Sequence, residues 1–172
     1  MTRQKNRKPL YTEAERRRRD ESRWTLVQGI LAPLQFLVFL VSFALVIRYL
    51  GTGEGYYAAT VSVVVKTLIL YAIMVTGSIW ERVVFGRWLF APSFFWEDVV
   101  SMLVMALHTA YLAALAFGIM EARHQMLLAL AAYAAYVVNA TQFLLKLRSA
   151  RLEQSAPQTG PQRGAAVGYA VE

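Results

Sequence analysis

Residues 24–50 read WTLVQGILAPLQFLVFLVSFALVIRYL, with no charged residue before Arg48. A hydrocarbon layer about 30 Å thick requires about 20 consecutive apolar residues to cross it as a helix. A soluble helix of this length would carry a polar face. Three further runs of the same kind follow at about 58–80, 94–119 and 125–147. The reading is therefore all-α: an integral membrane four-helix bundle with antiparallel, up-and-down spans. A 23-residue basic arm precedes residues 24–147, and a mostly disordered tail, rich in Gly, Pro, Gln and Ala, occupies 148–172. The first run is too long for a signal-peptide core and lacks a small-residue cleavage site, so it is expected to stay in the membrane. The β-branched stretch Val61-Ser62-Val63-Val64-Val65 would suit a strand, but a membrane barrel needs many short alternating segments.

Lys and Arg decide the orientation. The arm holds Arg3, Lys5, Arg7, Lys8, Arg16, Arg17, Arg18, Arg19 and Arg23; the connection after the second run adds Arg82 and Arg87, and the end of the chain adds Lys146, Arg148, Arg151 and Arg163. Only Arg48 and Arg123 fall on the opposite side, which places both termini in the cytoplasm. Trp24, Trp80, Trp88 and Trp96 gather at the same interface, as an ordinary aromatic belt or as the wall of a site for a flat ligand. Thr12-Glu13-Ala14-Glu15 has capping-box spacing ahead of Arg16–Arg19, predicting a short surface helix drawn to anionic lipid headgroups. The basic cluster lacks the interleaved aromatics of a nucleic-acid binder, and no nucleic-acid partner is expected.

Cysteine is absent and His108 and His124 are the only histidines, so disulfides are excluded and no protein-built metal cluster is expected. Polar residues inside hydrocarbon face the bundle interior, where they find partners or do work. Gln28, Gln35 and Ser42 line one face of the first run, with Pro33 bending it; Thr67, Tyr71 and Ser78 share a face of the second. Lys66, about 13 Å from the outer end, either snorkels outward or shares a depth with His108. Glu97, Ser101, Met105 and His108 form a stripe on the third run, as do Asn139, Gln142 and Lys146 on the fourth. Interhelical hydrogen bonds of about 0.6 kcal/mol each are the ordinary use of such groups. Three carboxylates, Glu81, Glu97 and Asp98, should meet in one layer at the inner lip. Helix-dipole partnership and the neighbouring Arg82 and Arg87 explain some of them; acids sheltered beside aromatic rings also suit proton donation.

The stretches Trp24-Thr25-Leu26-Val27-Gln28-Gly29, Leu31-Ala32-Pro33-Leu34-Gln35-Phe36, Tyr71-Ala72-Ile73-Met74-Val75-Thr76-Gly77, Phe94-Phe95-Trp96-Glu97-Asp98 and His108-Thr109-Ala110-Tyr111 resemble the vinyl bacteriochlorophyllide hydratases of photosynthetic bacteria, from about Tyr11 to Leu152. The resemblance implies hydration of the 3-vinyl group of chlorophyllide a, or of a bacteriochlorophyllide, to a 1-hydroxyethyl group during bacteriochlorophyll synthesis. It implies a multi-pass protein of the bacterial inner or intracytoplasmic membrane. The substrate would be a flat apolar macrocycle with a carboxylate edge, carrying its own magnesium, so no cofactor is required. Contacts with a second copy or with other pigment-synthesis enzymes are compatible with it.

The resemblance brings no residue roles; these come from position. Glu97 is the preferred proton donor, with Glu81 or Asp98 as alternatives, while Gln28, Asn139 and Gln142 would orient water or ring carbonyls. Gln35, Tyr71, Trp80 and Trp96 complete the expected substrate-binding set, and His108 is either an axial ligand to the substrate's magnesium or a core histidine. A non-catalytic pigment-binding or assembly protein is the alternative. A small multidrug-type transporter is disfavoured because the first run has no acid, and a transmembrane haem protein because His124 falls in the outer loop.

Overall fold

The computed structural model describes residues 10–155 and, among them, contains five α-helices and no strand. The expected disorder beyond residue 155 lies outside the described residues, as do Arg3, Lys5, Arg7, Lys8 and Arg163. Helix α1 spans Glu13–Glu21, α2 Arg23–Thr52, α3 Tyr56–Phe85, α4 Phe95–Phe117 and α5 Ala122–Ser155. The last four are long and apolar enough to cross a membrane. Each occupies one of the runs read from the sequence, and α3 and α5 extend well beyond theirs. Helix α3 continues through Phe85, and α5 reaches Ser155 instead of stopping at Leu147, because Ala150 still has a core to enter.

Local chemistry sets the ends. Thr12 accepts from the Glu15 N–H at 3.3 Å while the Glu15 carboxylate accepts from the Thr12 N–H at 2.8 Å, completing the capping box that predicts α1. Gly53 ends α2 at φ +75°, where a side chain would be strained, and its N–H reaches the Tyr49 carbonyl at 2.8 Å. Gly86 plays the same part after α3 at φ +78°. Helix α2 runs unbroken through Pro33.

Helix α2 packs along α3, and α4 along α5, more extensively than either pair packs against the other. Phe39, Val46, Val63, Leu70, Val104, Tyr111, Met126 and Tyr133 fill the centre. Leu26, Ile30, Leu37, Leu68, Leu103 and Leu144 stay exposed, an apolar outer surface that suits lipid. Between the pairs, much of the joining is polar. Ser42 shares a hydrogen bond with Tyr133, Tyr56 donates to Gln125, Lys66 meets His108, and Tyr71 meets Thr109.

A second, smaller core of Tyr11, Val84, Phe94 and Ala150 gathers the arm, the end of α3, the start of α4 and the end of α5 at one end of the molecule. Tyr11 stacks on Phe85 with centroids 5.7 Å apart, and the Arg19 guanidinium lies 4.8 Å above the Tyr11 ring. Burial pushes the Tyr11 phenol above its ordinary pKa, so it docks neutral. Ser93 donates to the Leu10 carbonyl at 2.9 Å, and Thr25 to the Arg19 carbonyl at 2.6 Å. The arm is thus laced to the loop that precedes α4. Tyr11→Ala removes a buried aromatic anchor whose truncation costs roughly 2–3 kcal/mol. Tryptic cleavage at the arginines of α1 should then speed up by on the order of tenfold or more; an unchanged cleavage rate would show that the arm is held by something else.

Candidate active site at the arm end of the bundle

Glu81 lies in the last two turns of α3 and Asp98 in the first turn of α4, so the loop joining the helices folds directly over both. Their exposures are 5 % and 3 %. Each carboxyl takes a backbone N–H from that loop: Ala91 donates to Glu81 Oε2 at 3.2 Å and Phe90 donates to Asp98 Oδ2 at 2.8 Å. Phe90 adopts φ +59°, an unusual conformation for a bulky residue, at the point where its N–H engages Asp98. The N–H groups of two consecutive loop residues thus hold the Glu81 and Asp98 carboxyls side by side. Two acids placed together away from water favour sharing a proton over carrying two charges.

Glu97, 7 % exposed, has a different partner. Its Oε2 stands 2.6 Å from Lys146 Nζ, which itself lies 5.0 Å over the Phe94 ring. One turn further in, Ser101 donates to the Glu97 carbonyl and accepts from Asn139 Nδ2, both at 2.8 Å. The stripe Glu97, Ser101 on α4 therefore faces the stripe Asn139, Lys146 on α5, as the sequence spacing predicts.

The amides do not all serve one purpose. Gln28 donates to Thr76 Oγ1 at 2.7 Å and to the Ile73 carbonyl at 3.4 Å, which ties α2 to α3. Gln35 is 2 % exposed and neither of its amide atoms has a hydrogen-bond partner; Asn139 Oδ1 and Gln142 Oε1 are buried and unpartnered too. Buried amides without partners cost on the order of 1–3 kcal/mol each. Asn139 and Gln142, on the α5 stripe that meets Ser101 and Glu97, mark a place there that water or a ligand would complete.

The remaining expected site residues scatter. Trp80 sits edge-on to Phe85 and Phe94 and donates to Thr25 Oγ1 at 2.9 Å, facing the arm core. Trp96 is 69 % exposed and points outward. Tyr71 bonds Thr109 at 2.7 Å across the two helix pairs. His108 is wholly buried: Nδ1 bonds the Val104 carbonyl at 2.8 Å, which makes Nε2 the acceptor for Lys66 Nζ at 3.0 Å. The lone pair that would ligate magnesium is engaged by that ammonium. Lys66 does not snorkel; its side chain turns into the core, with Nζ 4.2 Å above the Tyr136 ring and 5.2 Å above Tyr133.

The sequence reading did not foresee the Tyr133–Ser42–Ser62 hydrogen-bond chain or the docked arm. Tyr11 was findable, since a hydrophobic residue just before an N-cap is a recognised staple position.

A protein-family model described as 2-vinyl bacteriochlorophyllide hydratase matches residues 11–149. The 2-vinyl bacteriochlorophyllide hydratase of Rhodobacter capsulatus is 65% identical over 155 residues, covering 90% of either chain. That of Cereibacter sphaeroides is 67% identical over 149 residues, covering 87% of this chain and 92% of the relative. No solved structure matches. Motifs, membrane-spanning architecture and near-complete coverage thus agree, and the chain belongs to the 2-vinyl bacteriochlorophyllide hydratase family.

Proposed function

We propose that this chain hydrates the 3-vinyl group of a chlorophyllide-type pigment to a 1-hydroxyethyl group, using the carboxyl cluster of α3 and α4 as its acid and base. The observation that carries the chemistry is the sheltered carboxyl cluster: Glu81 and Asp98 are buried side by side under the N–H groups of Phe90 and Ala91, a setting that favours a shared proton. The reaction is an electrophilic addition. A proton goes to the terminal vinyl carbon, which becomes a methyl group. The positive charge on the inner carbon spreads into the macrocycle, water adds there, and the water's surplus proton must leave.

We assign the roles in a different order from the sequence expectation, which put Glu97 first as the proton donor. The Glu81–Asp98 pair, sheltered together under the loop, is the donor, whereas Glu97, paired with Lys146, accepts a proton or orients the attacking water. Asn139 Oδ1 and Gln142 Oε1 are free to hold that water as acceptors. The proton lost by the water returns to the carboxyl pair, directly or through Glu97, so the acid is restored each cycle. Exposed Trp96, Trp88, Phe90 and Phe95 surround this end and offer flat apolar surface to an incoming ring system.

In the membrane the four spans alternate in direction, with both termini and the loop before α4 in the cytoplasm of a bacterial inner membrane. The bias of Lys and Arg to that end supports this, as do the short connections at the other. The bilayer and the pigment are the partners; no added cofactor is needed, since magnesium arrives with the substrate.

Glu81→Gln, which removes the titrating oxygen but keeps the size, should lower turnover by about a hundredfold or more while pigment binding changes little. Glu97→Gln should also impair turnover. Undiminished hydration by Glu81→Gln membranes would exclude the carboxyl pair as the donor. For topology, reporter fusions at either terminus should both be active in the cytoplasm; activity of one of them in the periplasm would overturn the orientation.

A further inference from the structure

Lys66 carries a wholly buried amine with no carboxylate within ion-pair distance among the described residues. Its neighbours are a histidine lone pair and the faces of Tyr136 and Tyr133. Such surroundings solvate a cation without neutralising it. An intramembrane charge of this kind is expensive and normally has a counter-group. Other buried ionisable groups nearer the arm have theirs: Glu97 has Lys146, and Glu81 and Asp98 have each other and the loop N–H groups.

A second unmet group stands close by. The Gln35 amide has neither donor nor acceptor satisfied, and it lies one turn of α2, about 6 Å, from Phe39. The Phe39 ring is 5.0 Å from the Tyr136 ring over which Lys66 sits. A buried cation and a buried unused N–H donor thus flank the same aromatic group, where the two helix pairs meet. That combination is complementary to an anionic oxygen group entering from outside the chain.

We infer that Lys66, assisted by Gln35, seats the carboxylate edge of the pigment, and so sets which end of the macrocycle faces the acids. This rests on the hydratase reading above. His108 lies eleven residues along α4 from Glu97, about 16 Å at the helical rise. That separation is comparable with the span of a tetrapyrrole macrocycle, so a carboxylate at Lys66 leaves the opposite part of the ring system at the carboxyl cluster. In this arrangement His108 is a positioning residue: its Nε2 holds the ammonium in place, and magnesium ligation is not its role.

The test compares a vinyl pigment presented as the free acid and as its methyl ester, with full-length protein in membranes. For the wild type, the free acid should have a KM lower than the ester's by about tenfold or more, the usual worth of a charge-assisted hydrogen bond. Lys66→Met should erase that ratio by weakening the acid alone, and Lys146→Met, which removes the half-buried ammonium paired with Glu97, should preserve it. Equal KM values for acid and ester in the wild type would overturn the seat, as would a ratio kept in Lys66→Met or lost in Lys146→Met. If Lys66→Met fails to accumulate, the wild-type and Lys146→Met ratios still decide. If neither pigment is hydrated by the wild type, the hydratase reading itself fails, which is a different result from equal hydration of both.

Discussion

Every polar atom carried into hydrocarbon must be satisfied by protein, because no water is there to do it. That constraint organises this molecule. Apolar packing unites α2 with α3 and α4 with α5, while side-chain hydrogen bonds do much of the work of joining one pair to the other. Each such bond is worth little, about 0.6 kcal/mol. Their value is in register: they fix which faces meet, and they leave the polar groups lined up along one internal seam.

The seam is not uniformly satisfied, and its chemistry lies in that unevenness. At its arm end three buried acids gather, two of them clamped by loop N–H groups. Deeper in, a cation stands without an anion. Between them lie amides with atoms to spare. A substrate that is apolar in its body and polar at one edge complements such a gradient better than it would an all-apolar cavity. The arm contributes by seating Tyr11 against the same loop that clamps the acids.

The spans were legible because the bilayer demands length, and length is visible in residues 24–50 without any knowledge of packing. The capping box at Thr12 was legible for a similar reason: it is local. The stripes on α4 and α5 were legible as faces, and Ser101 and Asn139 do meet. What the faces would bond to was not, because partner choice depends on how each helix is rotated and tilted against its neighbours. Gln28 shows this well, spent on Thr76 although its spacing groups it with the unpartnered Gln35. So does Lys66, whose long stem can reach either outward or inward, and which turns inward because His108 and two tyrosine rings are there to receive it. The clamping of Glu81 and Asp98 depends on the path of an irregular loop with Phe90 at positive φ, which no periodicity encodes.

The central claim is that this chain alone adds water across a vinyl group, with a proton delivered to its outer carbon. Membranes containing only this protein should therefore be given the vinyl pigment in heavy water, and the pigment mass measured after return to ordinary water. The account predicts a product heavier by one water, one of whose two hydrogens is a retained deuterium on the new methyl group. Recovery of the pigment bound but unchanged, or of a hydrated product whose methyl group carries no deuterium, would contradict it.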